Sequence, residues 1–527
     1  MKNCKNHPWI ADLGNGFYKN PILYGDYSDP DVIRVGEDFY LISSSFAFIP
    51  GIPLLHSKDL VNWELINFVV REIPFPQYDQ PNHGCGTWAP SIRYHDGMFY
   101  VFVGLPDEGV FMSCTRDPYG TWSPLHCVRP GKGWIDTCPF WDDDGNAYLV
   151  HAFANSRCGI KHRLDICRMS PDGKSLLDEG TMVYNGIQDH PTLEGPKLYK
   201  RDGWYYILAP GGGVKPGWQV CLRSRNIFGP YEDRIVLHQG NTDVNGPHQG
   251  GYVELENGEG WFIHFQDVYE YGRIVHLQPV SWKQGWPFMG QEQNGDGIGE
   301  PVSVWKKPNV GKTYPICTPA TSDAFDKPEL GLQWSFMGNP QSQWYSLTEN
   351  PGNLRLYAQV NAAEEQRENL LWYAPNLLTQ LIQTRSFEAT VKILPRFEQP
   401  GDKALLAITG HTYGYISLKY EGTQGFYAVQ CVRGEVTGRE YAGEATETVL
   451  RRIMIPASEA LWMKVAMAED GSYEFGFSFD GDEFIDLGYT FQAKAGTWTG
   501  AKLAIACLND ENIEGDGCCD FEYIHVE

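Results

Sequence analysis

Nothing in this chain is apolar for long enough to cross a bilayer, because no stretch reaches the roughly 20 residues a spanning helix needs. The opening residues, MKNCKNHPWIADLGNG, hold no run of signal-peptide length, so the expected compartment is the cytoplasm. Positive charge is scarce: 42 Lys and Arg stand against 66 Asp and Glu, a formal net charge of −24. That balance argues against nucleic acid and against an anionic membrane surface, whose binding rests on cationic contacts. A neutral substrate suits it best. The 13 cysteines form no CxxC pair, so the usual zinc spacing is missing, and unpatterned thiols suit a reducing compartment. Convincing amphipathic helices are also missing from the first half of the chain.

Aromatic residues, by contrast, are plentiful at 14%. Most are expected in cores, with a minority at strand ends able to stack on the flat faces of sugars. At 527 residues the chain is too long for one ordinary core, so two or more domains are expected.

One phrase recurs. GEDFYLISSS (36–45), DGMFYVFVG (96–104), DGNAYLVHA (144–152), DGWYYILAP (202–210) and NGEGWFIHF (257–265) each set a tight turn before an aromatic or aliphatic run. With Tyr40, Tyr100, Tyr148, Tyr206 and Phe262 as equivalents, the intervals are 60, 48, 58 and 56 residues. A Gly-containing turn between alternating runs marks a hairpin. Five such units without helices predict a five-bladed β-propeller over residues 15–310. A second echo, HSKDLVNW (56–63), SCTRDPYGTW (113–122) and LRSRNIFGPYE (222–232), reads as the closing strand of each unit. Residues 311–321 read as a linker. From 322 to 527, separate alternating strands such as FEATVKILPRF predict a lectin-like β-sandwich, or jelly roll. The whole chain is therefore expected to be all-β.

In a propeller the first strand of each blade lines the central channel, so residues at matching offsets converge. Counting back 11 to 13 residues from the five aromatics reaches Asp29, Trp88, Asp136, Glu194 and Gln249, with His248 adjacent. Three carboxyls aimed into one channel repel each other, which makes packing a poor explanation. They either bind a hard cation such as Ca²⁺ or divide into acid and base for glycoside hydrolysis. Burial and mutual repulsion keep one protonated while another stays ionised.

The contexts of these residues carry a resemblance. NPILYGDYSDPDVIRVGEDFYLISSSFAFIPGIPLLHSKDLVNW, GTWAPSIRYHDGMFYVF, DTCPFWDDDGNAYL, EGPKLYKRDGWYYIL, GPHQGGYVE and YGRIVHLQPVSW together resemble glycoside hydrolase family 43, the β-xylosidases and α-L-arabinofuranosidases, over nearly the whole chain. The resemblance implies Asp29 as general base, Asp136 as modulator of the acid's pKa and Glu194 as general acid of an inverting reaction. It implies Arg273 as a sugar-hydroxyl ligand that holds the base, and Trp88 and Phe46 as walls of the −1 subsite. His248 matches a channel histidine that in some members contacts calcium, directly or through water. The chemistry needs no cofactor, although a structural Ca²⁺ is left open. The C-terminal sandwich in some larger members closes the pocket into a short, exo-acting site.

Other acids receive blander readings. Asp31 is expected to be structural, bonding a backbone amide. Asp142, Asp143 and Asp144 are expected to form a solvated turn. The loop NDENIEGDG (509–517) has alternating acids but not the spacing of a standard calcium loop. Two alternatives stand beside the enzyme reading: a non-catalytic propeller lectin, and the retaining invertase-like five-bladed hydrolases, which TRDPYG (115–120) superficially echoes. Expected substrates are xylan- or arabinoxylan-derived oligosaccharides losing a terminal α-L-arabinofuranose, with β-D-xylose a close second. Oligomeric state is left open.

Overall fold

The computed structural model describes residues 8–360, 370–433 and 447–527. Five four-stranded antiparallel sheets follow one another along the first part of the chain. Their first strands are Asp31–Val35, Trp88–His95, Trp134–Trp141, Lys197–Arg201 and His248–Glu254. First strands of neighbouring blades touch, which places them around the central channel. The only described α-helix is the single turn Asn155–Cys158.

Each repeated phrase builds the second strand of a blade. The five marker aromatics pair across to Ile33, Arg93, Phe140, Tyr199 and Tyr252 of the first strands. The second echo is not the closing strand. It spans the end of the third strand and the turn beyond it, and the closing strands are Glu64–Val70, His126–Pro130, Thr181–Asn185, Glu232–Leu237 and Trp286–Met289. Residues such as Asp59 are kept there by local bonding, since its carboxylate accepts the backbone N–H groups of Val61 and Asn62.

Blades one and five close the ring by packing rather than by exchanging a strand. Val32, Leu41 and Leu55 share one core with Ile263, Val275 and Leu277. Phe17–Lys19 pairs with Val304–Lys306, and the Tyr18 hydroxyl donates to the Leu277 carbonyl at 2.8 Å. The N-terminal segment thus clasps the end of the propeller.

The C-terminal part is a sandwich of a seven-stranded and a nine-stranded sheet. Phe387–Arg396 alternates buried and part-exposed residues, as a strand with one face on the core should. Asp402–Thr409 is buried on both faces: Ala404, Leu406 and Ile408 enter the inter-sheet core, while Leu405 and Ala407 pack under Leu371 and Trp372. The nine-stranded sheet takes its edge strand from the propeller, because Phe48–Ile49 pairs with Ser335–Met337. Tyr24, Tyr271 and Ile274 of the propeller enter the sandwich core. The two parts therefore share both a sheet and a core.

Candidate active site

The channel end of each first strand carries one residue in the left-handed region: Asp29 (φ 53°), Ala89 (38°), Asp136 (57°), Gly195 (57°) and Gln249 (57°). Four of the five lie four residues before the partner of the marker aromatic, and Gln249 lies three before it. The true equivalents of Asp29 are therefore Ala89 and Gly195 in blades two and four. Trp88 and Glu194 precede the kink by one residue, a correction to the expected ring. The pairing slips at these kinks in blades two, three and five, the signature of a β-bulge, which re-aims side chains at a sheet's end. At Gly195 the bend demands glycine, because a Cβ would stand 2.9 Å from Pro210 and 3.1 Å from Gln249.

Asp29 is 5% exposed and ion-paired. Its Oδ1 accepts from Arg273 Nη1 at 2.6 Å and its Oδ2 from the Ser44 hydroxyl at 2.7 Å. Ser44 in turn accepts the Ala89 N–H at 2.7 Å, which ties the Asp29 carboxylate of blade one to the kink of blade two. Asp26 holds Arg273 from behind: its Oδ1 accepts the Arg273 N–H at 2.9 Å and its Oδ2 the Gly500 N–H, from the sandwich, at 2.8 Å. The Arg273 guanidinium lies 4.9 Å from the Phe265 ring centroid and 5.8 Å from that of Trp498.

Asp136 is buried and accepts the Gly195 N–H at 2.8 Å. Burial pushes its pKa up, and the charge of Asp29 adds to that, while the Gly195 bond and the Lys197 and Arg273 cations oppose it. Glu194 is pushed up by burial first and then by the negative charges of Asp136 and Asp29. Its carboxyl receives no hydrogen bond from the described residues. Cations act on both carboxyls, Lys197 and Arg273 on Asp136 and Arg273 and Lys161 on Glu194, but only Asp136 accepts a hydrogen bond, so the proton rests more readily on Glu194.

Phe46 and Trp88 meet edge-on with ring centroids 6.3 Å apart, and Trp88 meets Trp498 at 6.1 Å. Arg157 lies over the Trp88 ring at 5.2 Å. Trp498, Ser44, Asp26 and Arg157 were not singled out by sequence reasoning. Ser44 and Asp26 sit inside quoted motifs, but nothing in the sequence links Trp498 to a channel formed more than 200 residues earlier.

His248 is buried, and burial pulls its pKa down to about 4. Its Nε2 faces the Gly213 carbonyl at 2.9 Å, so Nε2 carries the hydrogen and Nδ1, which has no hydrogen-bond partner among the described residues, is an acceptor. Calcium takes six to eight oxygen ligands. A single imidazole nitrogen within charge range of a guanidinium does not suit it. In the loop 509–517, Asp510 is paired with Lys403 and Lys419, Glu511 lies near Lys419, and the Asn509 carbonyl oxygen of the side chain accepts two backbone N–H groups. These acids do not converge, and no cluster of three His, Cys, Asp or Glu suited to a metal occurs among the described residues.

The expected solvated turn is corrected at Asp142. It is buried, accepts from Lys200, the Tyr205 hydroxyl and the Asp143 N–H, and these bonds hold its pKa low against the cost of burial. A cavity of about 590 Å³ opens near it, at the opposite end of the first strands, lined by Arg34, His95, Trp141, Lys200 and Glu254 among others. None of the three central carboxyls lines that cavity.

Binding a neutral sugar needs no carboxylic acid kept protonated beside ionised partners, whereas cleaving an acetal does. The propeller and this division of charge define a glycoside hydrolase. Residues 18–287 match the glycosyl hydrolases family 43, and residues 322–527 match the beta xylosidase C-terminal concanavalin A-like domain. A Xylanibacter ruminicola protein with beta-xylosidase in its name is 40% identical over 504 residues, 94% of this chain and 87% of its own. A non-reducing end alpha-L-arabinofuranosidase of Bacteroides ovatus is 33% identical over 378 residues, covering 66% of each. The crystal structure of a xylan beta-1,4-xylosidase from Bacillus halodurans superposes with a TM-score of 0.83 at 25% identity, covering 97% of this chain and 99% of the other. The chain belongs to glycosyl hydrolases family 43.

Proposed function

We propose that the protein is an exo-acting, inverting hydrolase that removes a terminal β-D-xylose or α-L-arabinofuranose from xylan- and arabinoxylan-derived oligosaccharides. The observation that carries this is the split among the carboxyls: Asp29 ion-paired to Arg273, Glu194 held protonated beside Asp136. Asp29 takes a proton from a water as that water attacks the anomeric carbon. Glu194 gives its proton to the departing oxygen as the glycosidic bond breaks. Asp136 keeps the Glu194 pKa high and, through the Gly195 N–H, fixes the kink from which Glu194 projects. The configuration at carbon one inverts, because water enters opposite the leaving oxygen.

Trp88 Nε1 and His248 Nδ1 are buried with no hydrogen-bond partner among the described residues, one a donor and one an acceptor, which supports hydroxyl-rich ligand contacts. Asp26 and Trp498 support a blind pocket, since they bring the sandwich against the base. The names of the relatives carry both xylose and arabinose, which supports keeping both sugars as substrates. Calcium takes no part in any step.

Wild type and Glu194→Gln should be incubated with aryl β-D-xyloside, aryl α-L-arabinofuranoside and natural oligosaccharides. Release by the wild type, with a loss of about 10²–10⁴ in the variant on natural substrates, is the expected result. Aryl leaving groups need little protonation, so the variant keeps activity there. Binding without release by the wild type would establish the lectin alternative, and retention at the anomeric carbon would establish the invertase-like one.

A further inference from the structure

The first strand of blade four carries Lys197, three residues after Glu194. It is 1% exposed. Its ammonium donates to the Pro90 carbonyl at 3.0 Å and the Ser91 hydroxyl at 2.6 Å, both in blade two. Blades two and four are not neighbours, so the side chain crosses the channel and floors the site beneath the carboxyls. Both close partners are neutral oxygens. The nearest carboxylate oxygen is Asp31 Oδ2 at 3.8 Å, beyond hydrogen-bond range.

Asp31 is already committed. Its Oδ2 accepts the Ile92 N–H at 2.9 Å and Arg93 Nη1 at 2.7 Å, and its Oδ1 accepts the Val32 N–H at 3.1 Å. Arg93 also reaches the Cys138 sulfur at 2.9 Å and lies over the Tyr199 ring. Arg273 is committed in the same way to Asp29. Of Arg93, Arg273 and Lys197, Lys197 alone lacks a carboxylate in hydrogen-bond contact; the buried Lys502, facing Asp26 from the sandwich, lacks one too. The acids around them are Asp26, Asp29, Asp31, Asp136 and Glu194, with Asp267 facing Arg273 from blade five and Lys161 facing Glu194. His248 is neutral at physiological pH. With Glu194 protonated the five remaining carboxylates, Asp26, Asp29, Asp31, Asp136 and Asp267, are matched by the five cations Arg93, Arg273, Lys197, Lys161 and Lys502, and without Lys197 they exceed the cations by one charge.

We propose that Lys197 is a positioning residue whose buried ammonium, carried across the channel from blade four to blade two, keeps Asp136 ionised and so leaves the site's proton on Glu194. The inference rests on Glu194 being the general acid. The Lys197 charge opposes the upward push on Asp136, in line with that geometry. In a buried site each cation removed favours protonated carboxyls, because the charge is screened little. Without Lys197 a proton settles on Asp136, and the negative charge that holds the Glu194 proton is lost.

The test compares pH profiles of kcat on oligosaccharides for wild type, Lys197→Met, Lys197→Arg and Asp31→Asn. In Lys197→Met the acidic limb should move up by at least about one pH unit, so that kcat on that limb falls about tenfold with KM little changed. Lys197→Arg should keep the wild-type limb, and Asp31→Asn, which removes an anion, should move it down. An unmoved limb in Lys197→Met, or equal movement in Met and Arg variants, overturns the proposal. Wild-type protein provides a readout free of folding effects: the Lys197 ¹⁵Nζ resonance should be that of an ammonium and should step when the Asp136–Glu194 pair titrates. A neutral amine at neutral pH, or no step, also overturns it. If Glu194→Gln instead retains full activity on oligosaccharides, the acid assignment falls, and the ¹⁵N step still reads the Lys197–Asp136 interaction.

Discussion

Trp498 is the residue whose removal tests most directly whether the sandwich belongs to the active site. It sits in a tight loop closed by the Gly496 N–H donating to the Thr499 carbonyl at 2.8 Å, and its φ is 65°, a left-handed conformation that bulky residues rarely hold. That strain costs on the order of 1–2 kcal/mol, which Gly would relieve. Its edge contact with Trp88, centroids 6.1 Å apart, contributes about 0.5–1.5 kcal/mol. Its contact with Arg273, 5.8 Å from the ring, adds about 0.5–1 kcal/mol. In the proposed site both partners flank the sugar, so Trp498→Ala should forfeit about 1–2.5 kcal/mol, or roughly 5- to 70-fold in kcat/KM at 1.36 kcal/mol per decade. Trp498→Gly should lose the same activity while melting above Trp498→Ala, because the strain is gone. Initial rates on xylosides and arabinofuranosides, paired with thermal unfolding, measure both. Unchanged kcat/KM in a folded Trp498→Ala protein would refute a role for the sandwich in the pocket.

Asp29→Asn should lose about 10²–10⁴ in rate on aryl and natural substrates alike, since the attacking water needs a base whatever leaves; rate recovery with aryl substrates alone would contradict the assignment. The alkaline limb of the wild-type profile should lie above the ordinary glutamate range, because Glu194 keeps its proton there. The same upward shift affects stability. A carboxyl whose folded pKa is raised contributes stability that is complete below its unfolded pKa and lost as pH rises toward the folded one. Glu194→Gln should therefore melt higher than wild type in mildly alkaline buffer and little differently near pH 4, a difference that calorimetry at the two pH values measures. Gly195→Ala should cost at least about 1 kcal/mol of stability and most of the activity, because φ is 57° and Pro210 stands 2.9 Å from the added carbon; crystallography of the variant would show Glu194 displaced.

Much of the framework was legible because it is written at short range. A turn followed by paired aromatics repeats where the second strand of each blade begins, and strand alternation carries over a few residues without help from the rest of the chain. Asp29 and Asp136 lie at kinks 11 and 12 residues before the marker aromatic of that phrase, so counting finds them. Glu194 was reached by the same count although the kink itself falls on Gly195, because blade four carries no slip in its pairing and the offset absorbed one residue. Asp142 shows the converse. Its sequence, a run of three aspartates beside glycine, reads as a solvated turn, yet Lys200 and Tyr205 of the next blade bury it.

The sequence by itself determined the blade count, the all-β class and the family, and it pointed to the three carboxyls. These depend on local periodicity and on motifs whose residues lie within one blade. Only the tertiary structure decided that Lys197 crosses the channel, that Phe48–Ile49 extends a sandwich sheet, and that Trp498 meets Trp88 and Arg273. Those contacts join residues more than a hundred positions apart. Their existence depends on how twisted sheets dock and how the ring closes, which no window of sequence contains.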